Sequence, residues 1–294
     1  MTVTRAPENS RPDPGPGRSA AEPPAASQPG APSGYTVDAF HNGAFHLVQP
    51  VGTGHRVGMD AMLLAATVPG SASGVLADLG AGAGGAGLAA ISRLPQLNVV
   101  LIERSPIMAD CARRSLALDE NARLAPRVRV IEADVTLQGS QRRAAGLADH
   151  AFDYVILNPP FNAAADRQAP DALRAQAHAM DSDDLFERWL RTAAAILKPG
   201  GQVSIIARPH STGEILAALG KRFGGAEITP VIPRPGNDAI RILLTAIKGS
   251  RARLSMRDRI LIHQGAERAF SEQMDDLANG RAGWPRRTAI QPAN

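Results

Sequence analysis

The chain has 294 residues, of which 44% are apolar and 20% charged, and its formal net charge is +4. This is the composition of an ordinary globular protein, and no run of 18 apolar residues or export signal is visible, so neither a membrane span nor secretion is expected. The single cysteine, Cys111, excludes an internal disulfide framework and a cysteine-ligated zinc site, and it fits a reducing cytoplasm.

The first part of the chain is predicted to be a tail. Residues 1–34 are rich in Pro, Ala, Ser and Gly and almost lack large apolar side chains, so this stretch cannot bury enough surface to offset its ordering entropy. Order is expected from Tyr35, where apolar residues on both sides of Asn42-Gly43 predict a β-hairpin. After a glycine-punctuated segment, Asp60 is interpreted either as the N-cap of a helix over residues 61–68 or as a ligand contact.

From Val75 onwards strands and helices alternate, which predicts an α/β fold with a parallel sheet. The last two strands are joined by a turn instead of a helix. The fold class is therefore a doubly wound, seven-stranded, mostly parallel sheet with an antiparallel edge strand. The strands are predicted at residues 75–79, 99–103, 128–132, 152–157, 202–207, 227–232 and 239–247, and the helices at 88–93, 106–120, 183–197 and 211–223.

Residues 35–294 are predicted to form one domain. Residues 35–70 would be an N-terminal hairpin and helix extension, and 75–294 a Rossmann-like core with a C-terminal extension. That last extension begins with a basic stretch that holds four arginines, followed by an apolar run at 260–262 and a final helix. Such a stretch either binds a phosphate backbone or is a solvated face. The four arginines are Arg251, Arg253, Arg257 and Arg259.

Several polar residues follow the predicted strands. Ligands of open α/β sheets bind beyond the carboxyl ends of the strands, so these residues are expected on one rim. The glycine-rich loop at residues 80–87 would let the backbone approach a ligand, and Glu103 is placed to accept both hydroxyls of a ribose. Asp134 could accept from an adenine amine. Each carboxylate taken alone is equally well explained as a surface group or a cap.

The motif Asn158-Pro159-Pro160-Phe161 follows a buried strand. Two prolines fix φ, donate no backbone hydrogen bonds and push Asn158 towards an extended conformation. The result is a stiff corner with a carboxamide before it and an aromatic ring after it, which suits a planar amine. The alternative is a Pro-Pro turn that only ends the strand.

A dehydrogenase is an alternative, because Gly80, Gly82 and Gly85 match the G-x-G-x-x-G pattern and Glu103 lies about 20 residues further on. Asp78 opposes this interpretation. A carboxylate just before the glycines would repel a pyrophosphate and suits a cationic amino-acid group better. The Asn-Pro-Pro-Phe corner also has no role in hydride transfer.

Together, residues 78–84, Glu103, Asp134 and the Asn-Pro-Pro-Phe corner resemble the motif set of the S-adenosylmethionine-dependent, Rossmann-type amino-methyltransferases. The N-terminal signature, Gln49-Pro50 and residues 56–66, is similar to that of the bacterial valine-tRNA adenosine N6-methyltransferase family, apart from an extra spacer at 51–55. Later residues resemble the same family: Ala177-His178-Ala179, Trp189, Leu197-Lys198-Pro199-Gly200-Gly201, Arg234-Pro235-Gly236, Arg241, Lys248-Gly249-Ser250-Arg251 and Leu261-Ile262-His263.

The resemblance implies S-adenosylmethionine as cofactor, no metal, and methyl transfer to N6 of an adenosine in tRNA. The cofactor would be held by Asp78, Gly80, Gly82, Gly84, Glu103, Asp134, Arg56 and Asp60. The catalytic corner would be Asn158, Pro159, Pro160 and Phe161, and the loop that follows would contact RNA through Asn162, Arg167, Arg174 and His178. Enzymes acting on rRNA guanine or on a protein glutamine amide share the corner, so both remain alternatives. Cys111 is predicted to be a core residue away from the rim.

Overall fold

The computed structural model describes residues 34–51, 56–160, 184–265 and 267–287. Within these residues the chain forms eleven strands and seven α-helices. The strands are β1 (Tyr35–Phe40), β2 (Phe45–Pro50), β3 (Gly74–Leu79), β4 (Leu97–Glu103), β5 (Val128–Glu132), β6 (Phe152–Leu157), β7 (Leu197–Ala207), β8 (Phe223–Ile232), β9 (Arg241–Lys248), β10 (Ser255–Met256) and β11 (Ile260–Leu261). The helices are α1 (Met59–Ala66), α2 (Gly85–Arg93), α3 (Pro106–Leu116), α4 (Gly139–Ala144), α5 (Leu185–Ile196), α6 (Thr212–Leu219) and α7 (Glu272–Ala278).

Nine of these strands form one sheet in the order β10-β8-β9-β7-β6-β3-β4-β5, with β11 also pairing with β8. Only β9 is antiparallel, to both β7 and β8. The predicted fold class, a doubly wound and mostly parallel sheet with one antiparallel strand, is confirmed, with one correction and one addition. The antiparallel strand β9 is not at the edge but lies between β7 and β8, because the β8–β9 turn folds the chain back into the sheet. The two short strands β10 and β11 extend the sheet beyond the predicted seven.

The sheet is covered by helices on both faces, which explains the continuous apolar runs of its strands. Successive residues of β4 point to opposite sides, so Val99 and Leu101 pack with α1, α2 and α7, while Val100 and Ile102 pack with α5 and α6. Cys111 is fully buried beside Ala83 and Met108, as expected of a core residue.

The predicted hairpin is confirmed: β1 and β2 form a separate antiparallel sheet. It is attached to the core through Asn121, whose side-chain oxygen accepts from the His46 amide at 3.0 Å and whose amide group donates to the His46 carbonyl at 2.6 Å. The predicted tail lies outside the described residues except for Gly34.

Several element boundaries differ from the sequence-based expectation; for example, β8 begins at Phe223 rather than at residue 227, and α3 ends at Leu116 rather than at residue 120. Helix α1 begins two residues early, so its N-cap is Gly58, without a side-chain hydrogen bond, and the interpretation of Asp60 as the N-cap is wrong. Strand β7 begins at Leu197 and not at the predicted residue 202. Residues 198–201 belong to the strand, where its pairing with β6 is irregular. Helix α4 was not predicted, since its sequence, GSQRRA, has no apolar periodicity.

The segment after α7 is fixed to the sheet by a buried ion cluster. Glu227 of β8 is 2% exposed and lies 3.4 Å from Arg286 and 4.0 Å from Arg257, whose side chains are 8% and 9% exposed. Arg286 also donates to the Thr245 carbonyl at 3.0 Å. Arg257 therefore belongs to the interior, whereas Arg251, Arg253 and Arg259 of the same basic stretch are exposed. None of the helices in the described ranges is long and apolar enough to cross a bilayer.

We expect Glu227→Ala to destabilise the fold by about 3–5 kcal/mol, because it leaves two buried guanidinium groups without a counter-charge. Urea denaturation would measure the loss. Glu214→Ala, at an exposed position on α6, is the matched control and should change the free energy of unfolding by less than about 0.5 kcal/mol. Equal effects of the two substitutions would contradict a structural role for the cluster.

Candidate active site

The glycine-rich loop joins β3 to α2 and is tied to the end of β4. The amides of Gly80 and Ala81 both donate to the carbonyl of Ile102, at 2.9 and 3.0 Å. Gly80, Gly82 and Gly84 have φ values of +71°, +57° and +94°, which side chains rarely adopt. The loop thus holds its backbone against the residue that precedes Glu103.

Trp189 of α5 packs against the loop at Gly80. A Cβ atom at Gly80 would lie 2.5 Å from Cη2 of this ring, so only glycine allows the contact. The indole is 5% exposed, and its Nε1 donor has no partner in the part of the chain that the structure describes. On the opposite side of the loop, a Cβ at Gly82 would meet only Met108, at 3.7 Å, so the backbone there can approach a ligand closely.

Glu103, the last residue of β4, is 9% exposed. One carboxylate oxygen accepts from the Gly82 amide at 2.8 Å, and the other from the Ser105 amide at 2.7 Å. Each oxygen keeps a lone pair after these bonds. The carboxylate is therefore orientated by the loop and can accept from two neighbouring hydroxyl groups.

Asp78 lies inside β3, 3% exposed, and accepts from the Gly87 amide at 2.9 Å. Burial raises the pKa of this carboxyl to about 7; the Gly87 hydrogen bond opposes the shift and the charge of Glu103 adds to it. The hydrogen bond anchors the first turn of α2 beneath the glycine loop. A nearby cation would favour the charged form of the carboxyl.

The Asn-Pro-Pro corner begins beside the glycine loop. Strands β3 and β6 are adjacent and parallel, about 4.8 Å apart, and Leu79 lies opposite Leu157, so Gly80 and Asn158 are the next residues at the ends of neighbouring strands. Asn158 is half-buried and Pro159 buried. Asp134, two residues after β5, is also half-buried, and its side chain accepts from the Thr136 amide at 2.7 Å.

The two N-terminal residues that the resemblance assigned to the cofactor have protein partners here. Arg56 donates to Asp38 at 2.7 Å, and Asp60 accepts from Arg241 of β9 at 2.8 Å. The residue of this segment that packs on the loop is Val57, whose side chain occupies the place that a Cβ at Gly85 would need. The cofactor roles of Arg56 and Asp60 stay predictions.

Five predicted site residues lie outside the described residues: Phe161, Asn162, Arg167, Arg174 and His178. Conversely, sequence reasoning gave no site role to Trp189, Val57 or Ser105. The run of small residues from Gly80 to Gly87 was a usable signal, because so many missing side chains indicate close packing against large neighbours. It did not reveal which neighbours these are.

The site fits an adenosyl compound with a cationic amino-acid group. The glycine loop offers a backbone cradle that a Cβ would fill, and Glu103 can accept from the two hydroxyls of a diol. Asp78 is a buried carboxyl that a cation would ionise, and Asp134 is a half-buried carboxylate just after β5. These features, on a seven-stranded core with one inserted antiparallel strand, define a Rossmann-type, S-adenosylmethionine-dependent methyltransferase.

Comparison with known proteins leads to the same class of enzyme. Residues 49–230 match the model of the methyltransferase small domain family, so the chain belongs to that family, and its cofactor is S-adenosylmethionine. The resemblance to methyltransferases is thereby confirmed, and the dehydrogenase alternative is set aside.

Three relatives illustrate the match. A tRNA1(Val) (adenine(37)-N6)-methyltransferase of Porphyromonas gingivalis is 29% identical over 201 residues, 67% of this chain and 76% of the relative. The protein of the same description from Aeromonas hydrophila is 29% identical over 235 residues, 75% of this chain and 86% of the relative. A crystal structure of a predicted O-methyltransferase from Agrobacterium tumefaciens is 49% identical with a TM-score of 0.68, and covers 78% of this chain and 100% of that one.

Gly80→Ala should weaken S-adenosylmethionine binding and destabilise the fold by about 2–5 kcal/mol, because strain at positive φ adds to overpacking against Trp189. Calorimetric titration and thermal melting would measure the two effects. Gly43→Ala is the matched control, since Gly43 has φ +84° with nothing within 4 Å of a Cβ. If both variants bound the cofactor like the parent, the cradle would not be the binding site.

Asp78→Asn should change how stability depends on pH. The folded-state pKa of Asp78 is raised to about 7, above the ordinary value of 3.8, so its contribution to stability is full below pH 4 and is lost as pH rises towards 7. The melting temperature of the cofactor-free variant, relative to the parent, should therefore increase from pH 4 to pH 7 and level off above. A constant difference across this range would show that Asp78 is ionised throughout.

Proposed function

We propose that this methyltransferase transfers a methyl group to N6 of an adenosine in tRNA. The observation that carries the proposal is the position of Asn158, half-buried at the end of β6 and beside Gly80 of the cofactor loop. The description of the P. gingivalis and A. hydrophila relatives as tRNA adenine N6-methyltransferases supports the choice of substrate.

In this proposal the glycine loop and Glu103 hold the cofactor. Glu103 would accept from the two ribose hydroxyls, and the backbone of Gly80, Gly82 and Gly84 would hold the amino-acid portion. Ionised Asp78 would stabilise the cationic amino group, and Asp134 would accept from the adenine amine. S-adenosylmethionine, when bound, supplies an electrophilic methyl group on its sulfonium.

The corner prepares the acceptor nitrogen. An aromatic amine is a poor nucleophile, because its lone pair is delocalised into the ring. The side-chain oxygen of Asn158 and the carbonyl of Pro159 accept its two hydrogens, which favours a pyramidal nitrogen and directs its lone pair towards the cofactor loop. Pro160 keeps the corner rigid. The nitrogen loses its extra proton to water after the transfer.

The proposal includes residues outside the described ranges. Phe161 would stack on the target base, which must be splayed out of the RNA loop to reach the corner. Asn162, Arg167, Arg174 and His178 would hold the flanking nucleotides. Arg56 and Asp60 would act from the N-terminal side, where Asp60 already pairs with Arg241 on the same rim.

A second candidate is methyl transfer to oxygen, because the A. tumefaciens protein is described as a predicted O-methyltransferase. A corner with two acceptors favours an amine, which presents two hydrogens, over a hydroxyl, which presents one. An rRNA guanine or a protein glutamine amide would also present a planar amine. The chemical identity of the methylated product distinguishes between these possible substrates.

The decisive experiment is to incubate the protein with labelled S-adenosylmethionine and total tRNA, digest the RNA and identify the methylated nucleoside. N6-methyladenosine is expected. A labelled guanosine, a 2′-O-methyl nucleoside or a labelled protein would each replace the proposed substrate.

Asn158→Ala should lower kcat for tRNA at least about 100-fold, in the range found when one positioning donor or acceptor is removed, and should leave S-adenosylmethionine affinity within a factor of two. Asn98→Ala, at an exposed position on β4, is the matched control and should retain full activity. A variant at Asn158 with more than half of the parental kcat would exclude its role in holding the amine.

A further inference from the structure

An aromatic pair, half-buried His263 and exposed Phe270, lies at the far end of the rim that carries Asn158. The rings of His263 and Phe270 are stacked, with centroids 5.8 Å apart and planes inclined by 25°. Phe270 is 46% exposed, which is unusual for a phenylalanine in a chain with only 4% aromatic residues. Neither residue has a role in the proposed cofactor site or corner.

The topology places this pair on the same rim as Asn158. Strand β11 pairs parallel with the end of β8, Ile260 opposite Val231, so the chain leaves the sheet at the carboxyl ends of the strands. The next backbone bonds continue this direction, and the His263 amide donates to the Pro233 carbonyl at 3.0 Å. From β6 to β11 there are four strand spacings, in the order β6-β7-β9-β8-β11, or about 19 Å.

The pair is anchored from both sides. A ring nitrogen of His263 lies 2.8 Å from the Ala269 carbonyl oxygen. Next to Phe270, the Ser271 amide donates to the Ile262 carbonyl at 2.7 Å, and the Ser271 hydroxyl caps α7 by accepting from the Met274 amide at 3.0 Å. The exposed ring is therefore held on fixed backbone, as a preorganised stacking surface requires.

One arginine contacts the loop that carries the rings, and another belongs to that loop. Arg234, which follows β8, donates to the Glu267 carbonyl at 3.0 Å and so stands at the base of the same loop. Arg268 is exposed two residues before Phe270. Two carboxylates are also close in the chain: Glu267 in the same loop and Glu272, exposed at the start of α7. Aromatic rings beside arginines are the combination that single-stranded RNA uses, because bases stack on the rings while cations neutralise the phosphates.

We propose that His263 and Phe270 form a second base-stacking platform, which holds a nucleotide of the RNA substrate several positions from the adenosine at the Asn158 corner. Arg234 and Arg268 contact the backbone phosphates beside it. This inference rests on the proposed RNA substrate, and it makes the platform a determinant of RNA affinity rather than of the methyl-transfer step.

The first test compares Phe270→Ala with Leu254→Ala, which removes a side chain of matched exposure, 47%, near the amino end of β8. Loss of one stacked base should raise the Kd and KM for tRNA about 5- to 100-fold in Phe270→Ala. Leu254→Ala should stay within a factor of two, and KM for S-adenosylmethionine and kcat at saturating tRNA should be unchanged in both variants.

Two further variants separate stacking from local packing. Phe270→Leu should lose affinity like the alanine variant, whereas Phe270→Trp should retain it, and its additional fluorescence should be quenched as tRNA is added. Retained affinity in Phe270→Leu, or an unquenched tryptophan in a folded Phe270→Trp variant, would overturn the platform and assign the ring to loop packing or to a protein partner.

The outcomes distinguish the platform from the proposed function. If the parent forms N6-methyladenosine in tRNA but Phe270→Ala behaves like Leu254→Ala, the platform is wrong and the function stands. If the parent binds tRNA with a Phe270-dependent Kd but labels another nucleoside, the proposed acceptor is wrong and the platform stands. If the parent binds no tRNA, both are wrong.

Discussion

The carbonyl oxygen of Ile102 accepts hydrogen bonds from two successive amides, those of Gly80 and Ala81. This shared acceptor joins the end of β3 to the end of β4 at the point where the chain must turn sharply into α2. Because Glu103 follows Ile102 directly and accepts from Gly82, the loop and the carboxylate are fixed relative to each other. The geometry of the candidate cofactor site is therefore set by backbone pairing. Glycine is required at position 80 because a Cβ there would collide with Trp189, and Gly82 and Gly84 also have positive φ values that side chains rarely adopt.

Buried charge is used differently in the two halves of the molecule. Near the cofactor loop, Asp78 is isolated in the interior and its pKa is raised to about 7, so a cationic ligand would restore its charge. At the other end of the sheet, Glu227 is surrounded by Arg257 and Arg286, and the cluster carries an excess of positive charge that fixes the C-terminal segment. The first arrangement is suited to binding and the second to holding the chain together.

The sequence was sufficient for the fold class and the rim, because strand and helix periods and glycine signals are local. Glu103 and Asn158 could be placed because the ends of parallel strands meet at one edge. The partner of Asp60 could not be predicted, since Arg241 lies 181 residues from Asp60 in the chain and no local pattern encodes that contact. The partner of Arg56 was not predicted either. The burial of Arg257 was not predicted for a related reason. The run of arginines around it resembles a solvated face, and the contact that stabilises its charge in the interior is with Glu227, which is distant in the sequence.

The outer edge of the sheet has a consequence of its own. Strand β8 is bordered there by two strands of two residues each, β10 and β11, with Arg257, Asp258 and Arg259 between them. Long, flat edges offer a continuous row of unpaired amides and carbonyls to which another chain can add a strand. An edge divided into two short pieces, with charged residues at the division, offers no such row. The C-terminal extension thus protects the β8 edge of the sheet against edge-to-edge aggregation.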